Sequence, residues 1–241
     1  MQLAAWALAV VAMSALLGGV AQSSLGFGAA FAVVPALAFT APELLPGTVL
    51  VGILPLSVVM AVRGRAGIDV PALGRLTIGR FPGIVTGAAV VAVLPTRALT
   101  AIIATLLLTA VAASALGAEL AVTRPREIIA GYISGLTGTA AALGGPPLAI
   151  LYRGRDGAML RPTLASVWAI GLLPAIGSLA LAGEFTVLQL QAGVVVSGFM
   201  LLGLVGGARV VRAVPERTVR AAVLWWAGVG GLLALGRAVF G

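Results

Sequence analysis

The sequence predicts an all-α integral membrane protein: an inverted repeat of two halves, each a broken, re-entrant helical hairpin plus three transmembrane helices. Composition is the first observation behind this. The chain is 61% hydrophobic and 9% charged, with a mean hydropathy of +1.16, whereas a soluble protein is about a quarter charged. The apolar residues come in long runs, and a spanning helix needs about 20 of them. The alternating segments of about ten residues that mark a membrane β-barrel are not seen. A second observation is that two of the runs are interrupted alike. Gln22-Ser23-Ser24-Leu25-Gly26-Phe27-Gly28 leads to Pro35, and Ser134-Gly135-Leu136-Thr137-Gly138-Thr139 leads through Gly144-Gly145 to Pro146-Pro147. Gly26 and Pro35 recur as Gly138 and Pro147 at one offset of 112 residues. Paired Gly/Pro-interrupted apolar segments in corresponding halves are the best sequence pointer to a transporter's binding site. The third observation is where the arginines fall.

In chain order, the N-terminal repeat covers 1–118, with its hairpin at 3–39 and helices at 44–62, 76–94 and 98–117. Met1 to Val20 lacks the basic n-region of a signal peptide, so it is expected to remain as the first limb of the hairpin. A weakly charged loop with Glu43 follows the hairpin, and a basic one with Arg63, Arg65, Asp69 and Arg75 precedes the second helix. Glu119, Arg124, Pro125, Arg126 and Glu127 read as the central linker. The C-terminal repeat covers 119–241, with its hairpin at 128–152 and helices at 163–181, 186–206 and 219–239. Arg153, Arg155, Asp156 and Arg161 form one loop, and Arg209, Arg212, Glu216, Arg217 and Arg220 another. Trp225 and Trp226 sit well inside the last run and read as packing residues.

The chain holds no Lys, so its net charge of +8 is carried by Arg. If each broken segment crossed the membrane once, the arginines would split almost evenly between the faces. That violates the positive-inside rule. If each folds back as a hairpin, the loops around 63–80, 124–126, 153–161 and 209–220 share one face and hold thirteen of the 15 arginines. The second arrangement is preferred. It makes the halves opposite in orientation, puts both termini outside, and places the basic loops in the cytoplasm. The arginines lie in short loops between apolar runs, so they read as topology signals facing anionic lipid and not as a nucleic-acid surface.

The chain has no Cys and no His. Thiol and imidazole chemistry are therefore excluded, and no cofactor or metal site is expected. An intramembrane enzyme would be left with Ser or Thr nucleophiles and no base. The hairpins offer a different chemistry. Returning half-helices from about Gly28 to Phe39 and Thr139 to Leu151 would be about 18 Å long, about half the hydrocarbon thickness. Their N-termini would then lie near mid-membrane, where unpaired N–H groups and the helix dipole suit an anion. Gly26, Gly28, Gly138, Gly144 and Gly145 let backbone approach a ligand closely. Ser23, Ser24, Thr137 and Thr139 add hydroxyls, Gln22 an amide, and Phe27 lies between the first two glycines. Arg80 is a further candidate, either attracting the anion from within its helix or snorkelling to the basic face. Both readings stay open. Glycine also serves plain helix packing, the role assigned to Gly79, Gly83 and Gly87 and to Gly228, Gly230 and Gly231.

The motifs resemble the sulfite exporter TauE/SafE family of small membrane transporters. Gly26-Phe27-Gly28-Ala29-Ala30-Phe31-Ala32-Val33-Val34-Pro35 is similar to its N-terminal signature. Gly138-Thr139-Ala140-Ala141-Ala142-Leu143-Gly144-Gly145-Pro146-Pro147-Leu148 is similar to its C-terminal one, and Arg161 and Thr163 also fit. The resemblance implies a multi-pass inner-membrane carrier for small sulfur-containing or carboxylate anions, such as sulfite or sulfonates. Ala29 and Ala30 stand where many members carry glycine or a polar residue, which leaves the substrate open. The expected partners are a small anion and the lipid bilayer. Proton coupling has no visible residue, because the acidic residues read as lying in or near loops, and homo-oligomerisation stays open. An anion channel using the same dipoles and a non-transporting scaffold are the alternatives.

Overall fold

The computed structural model describes residues 5–116, 121–153, 155 and 157–240. Among them there is no strand, and ten α-helices carry the fold: α1 (Ala5–Leu25), α2 (Ala29–Thr40), α3 (Gly47–Arg63), α4 (Val70–Val93), α5 (Thr96–Leu116), α6 (Arg124–Ala141), α7 (Gly145–Leu151), α8 (Gly157–Leu181), α9 (Val187–Ala213) and α10 (Glu216–Phe240). Six of these, α1, α4, α5, α8, α9 and α10, are long and apolar enough to cross a membrane. α3, at 17 residues, is slightly shorter.

Both broken segments are indeed helix–break–helix, but their limbs are unequal. α1 runs for 21 residues and α2 for 12, so the outgoing limb is more than a half-helix. It continues through Ser23 and Ser24 because both hydroxyls donate to the Val20 carbonyl, at 2.8 and 2.7 Å. A serine that bonds back to its own turn does not break the helix. The break comes at Gly26 and Gly28, whose φ values of +79° and +119° are open to glycine and strained for other residues.

The second break is displaced from its expected place. α6 continues through Gly138 and Thr139, with the Thr137 hydroxyl 2.8 Å from the Ile133 carbonyl, and ends only at Ala142, which takes a left-handed φ of 57°. There Leu143 N–H reaches the Thr137 carbonyl at 3.1 Å. α7 is left with 7 residues. The motif offset of 112 therefore aligns the prolines but not the breaks.

Three further starts are earlier than the hydropathy implies. α4 begins at Val70, where Asp69 Oδ1 accepts the Ala72 N–H at 3.0 Å and Pro71 stands in the first turn. That is an ordinary N-cap. α6 begins at Arg124 and α8 at Gly157, so Arg75, Glu127 and Arg161 are helical residues and not loop residues.

Two close crossings organise the packing. α4 lies along α6, and α1 along α9. In the first, a Cβ on Gly79 or Gly83 would fall 1.9 or 2.1 Å from the carbonyl oxygen of Ile128 or Tyr132, and one on Gly131 or Gly135 2.2 or 2.3 Å from that of Leu76 or Arg80. In the second, Gly19 and Gly203 stand equally tight against Met200 and Leu16. These backbones touch because the side chains are missing, as in small-residue membrane crossings. α3 packs on α8 and α9, α8 on α4, and α10 on α5.

α2 is held by α10. Trp226 Nε1 donates to the Ala32 carbonyl at 2.9 Å, Arg237 donates to the Phe39 carbonyl, and Gly230 abuts Pro35. Among the described residues, no comparable side-chain bond reaches α7, although its inner face, Leu148 and Leu151, is buried. An apolar recess of about 460 Å³ lies beside it, walled by α5 and α6.

Candidate functional site

Arg80 is the eleventh residue of α4, about 15 Å along a helix of about 36 Å. It is 2% exposed, so it does not snorkel. Its Nη1 donates to Ser134 Oγ at 2.7 Å and to the Ser134 carbonyl at 3.2 Å. The Ser134 hydroxyl donates onward to the Gly144 carbonyl at 2.6 Å. One serine thus ties α4 and α6 to the break before α7. Arg80 Nε is buried with no hydrogen-bond partner. Among the described residues the ion pair joins Arg75 to Glu127, and no carboxylate meets Arg80.

Glycines make room for the guanidinium. A Cβ on Gly171 would lie 2.2 Å from Nε, one on Gly144 3.2 Å from Nη1, and one on Gly138 3.4 Å from Nη2. Beside the guanidinium is a chamber of about 40 Å³ in which Arg80 is the sole charged wall. The first hairpin contributes Gln22, Phe27 and Gly28 to it, and the second Gly138, Gly144 and Gly145; Phe31, Leu50, Ile53, Trp168 and Leu172 complete an apolar lining. A space that size holds one small ion or a water or two.

Seven of the twelve residues singled out from sequence therefore meet at one chamber: Gln22, Phe27, Gly28, Gly138, Gly144, Gly145 and Arg80. Gln22 is occupied in holding the break, since its Nε2 donates to the Gly26 carbonyl at 3.3 Å and its Oε1 accepts the Ala29 N–H at 3.2 Å. The other five lie elsewhere. Ser23 and Ser24 are turned back on Val20, and Gly26 lies against the Arg161 side chain. Thr137 faces the recess between α5 and α7, and Thr139 sits against Gly87 of α4. Helical geometry explains four of the five, because a residue one or two positions from a lining residue points to another side; Gly26 lies in the break itself. Ser134, Trp168 and Gly171 were not identified from sequence. Arg80 and Ser134 meet over 54 residues of chain, and neither carries a local mark of the other.

A second buried polar cluster lies nearer the N-terminal ends of α4 and α6. Arg75 Nε donates to Glu127 Oε2, and Tyr152 Oη donates to Glu127 Oε1 at 2.6 Å. Glu127 and Tyr152 are 2% and 8% exposed, so Tyr152 is no interface anchor and Glu127 no linker residue. Burial, and then the bond to Glu127, push the Tyr152 phenol above its ordinary range, which keeps it a donor.

Residues 11–234 match the family described as Sulfite exporter TauE/SafE. The chain belongs to that family. As a TauE/SafE protein it is a multi-span membrane protein of a transport family, not of an enzyme family. Both motifs and the Arg80 chamber lie inside the matched span of this TauE/SafE chain. No curated protein and no solved structure matches it.

Proposed function

We propose that this protein is a secondary carrier of the cytoplasmic membrane for a small anion, sulfite, a sulfonate or a related oxyanion, bound at Arg80 between the two hairpins. One observation carries the reading: a fully buried arginine near mid-helix whose Nε has no partner and which, among the described residues, no carboxylate neutralises. A charge at that depth is expensive and marks ion pathways. An incoming oxyanion would supply the missing acceptor and the missing charge together. The amide-rich start of α2 adds to the attraction, since a helix N-terminus favours an anion. The chamber's size, a seat for one small ion and not a lumen, supports a carrier over a channel.

The packing also supports an inverted repeat. Numbering each half from its hairpin, α1 on α9 corresponds to α6 on α4, and α3 on α9 to α8 on α4. One polar cavity takes residues from the starts of α4, α6 and α8, which supports a common, cytoplasmic face for three of the arginine-rich stretches and an outside location for both termini.

The test is flux of radiolabelled sulfite and methanesulfonate into proteoliposomes. The wild type should show saturable flux that a counter-gradient drives uphill, and Arg80→Gln should lose it. Flux that is equal in Arg80→Gln, or that never saturates, would refute the carrier.

A further inference from the structure

The Arg75–Glu127–Tyr152 cluster is not used by the anion site and lies on the side of it toward the N-terminal ends of α4 and α6. A cavity of about 350 Å³ is lined by Asp69, Arg75, Arg124, Glu127, Tyr152 and Arg155. Three of the helices that wall the Arg80 chamber, α4, α6 and α8, also wall this one, at earlier positions. Arg75 precedes Arg80 by five residues, about 7.5 Å along α4. Glu127 precedes Gly138 on α6, and Thr163 precedes Trp168 on α8. An anion entering from the basic end would meet Arg75, paired with Glu127, before it meets Arg80.

Glu127 is the one acidic side chain buried among the described residues, and the chain has neither His nor Lys to share its task. Three groups face its carboxylate: the Arg75 guanidinium, the Tyr152 hydroxyl and the N-terminal turn of α6. The other charges facing the cluster are Asp69 at the start of α4, Arg124 on α6 itself, and Arg155 ahead of α8. A buried carboxylate that loses its cation favours the neutral form.

Granting the carrier reading, we infer that Glu127 is the proton-carrying residue of the transport cycle. The incoming anion draws Arg75 to itself, Glu127 takes one proton from the cavity to become a carboxylic acid, and the anion moves on to Arg80. When the carrier opens to the opposite side, the anion leaves, Arg75 re-forms its pair, and Glu127 gives its proton up to that same side. One proton then travels with each anion. Tyr152 is a positioning residue, because its hydroxyl favours the ionised carboxylate.

The experiment uses the full chain in proteoliposomes with methanesulfonate, or with sulfite where the wild type carries only that. Comparing variants on one substrate cancels the substrate's own titration. An imposed pH gradient of one unit should drive about tenfold accumulation in the wild type, and a trapped dye should report protons moving with the anion. In Glu127→Gln the accumulation ratio should fall to one, whatever the absolute rate. Tyr152→Phe removes a donor to the ionised form, so the pH profile of its flux should move to higher pH, which a merely structural tyrosine would not produce. Gradient-driven accumulation that survives in Glu127→Gln overturns the inference, and so does an unshifted profile in Tyr152→Phe, the deciding arm if the glutamine variant does not assemble. Wild-type flux that ignores the pH gradient overturns it while leaving the carrier intact. No wild-type flux at all removes the carrier reading and this inference together.

Discussion

Replacing Arg80 with methionine should make the anion-free protein more stable and its stability indifferent to anions. On insertion scales a central arginine costs about 2.5–3.5 kcal/mol. Its two contacts to Ser134 come from one nitrogen to one residue and are counted as a single charged-donor bond, which returns about 1.5–3 kcal/mol. The difference is unfavourable by about 1–2 kcal/mol at its wider end. Methionine fills a similar length without charge. It orphans little, because the Ser134 hydroxyl keeps its own bond to the Gly144 carbonyl. At about 2–4 °C per kcal/mol for a chain of this size, the variant should unfold up to about 8 °C higher in anion-free buffer. The wild type should recover when the anion is added, since a ligand at a hundredfold excess over its Kd stabilises by about 2.7 kcal/mol. Thermal unfolding of purified protein titrated with sulfite and methanesulfonate reads both quantities. A methionine variant less stable than wild type without anion, yet raised equally by anion, would refute the idea of an uncompensated charge awaiting its ligand.

Other substitutions probe the remaining walls. A methyl on Gly145 meets nothing closer than Phe27 at 3.7 Å, so Gly145→Ala should weaken anion affinity by about tenfold, about 1.4 kcal/mol, with little change in unfolding temperature. Gly228, with open space around its Cβ position, provides the control, and Gly228→Ala should alter neither. Gly230, which abuts Pro35, would not be a clean one. Gly28→Ala is expected to destabilise by about 1–2 kcal/mol, because an L-residue resists a left-handed backbone such as its φ of +119°; unfolding without ligand measures it. Single cysteines at Arg155 and Glu184, treated with an impermeant thiol reagent in intact cells, check orientation. Glu184→Cys should react and Arg155→Cys should not, and the reverse would invert the topology.

The parts of this fold legible in the sequence are those that hydropathy and glycine mark directly. Long apolar runs marked the spanning helices, and Gly26 and Gly28 located a break that their positive φ values required. The glycine spacing on α4 correctly signalled a crossing with a neighbouring helix. The second break was placed a few residues early because Gly138 and Thr139, which mark turns elsewhere, sit in a helix when a neighbouring helix needs the space. Its real position is at Ala142, a residue that announces nothing. The starts of α4, α6 and α8 were read as loops because arginines stand in or just after their first turns, at Arg75, Arg124, Arg126 and Arg161. Asp69 with Pro71, and Thr123 with Pro125, were available as start signals. The site was half legible. Residues on the two hairpins were found through their motifs, but the meeting of Arg80 with Ser134 and the space left by Gly171 arise only when three distant helices are brought together.

The unequal hairpins have a mechanical consequence. α2 is braced along its length by α10, with a bond from the Trp226 indole and another from Arg237 at its end. The 7-residue α7 has slack on its flank. A load applied at the chamber, such as an anion pulling on Arg80 and through Ser134 on the Gly144 carbonyl, is therefore resisted on one side and yields on the other. One arm acts as a fixed jaw and the other as a moving one. Amide hydrogen exchange should show the difference as faster opening across 143–151 than across 29–40, narrowing when the anion is bound.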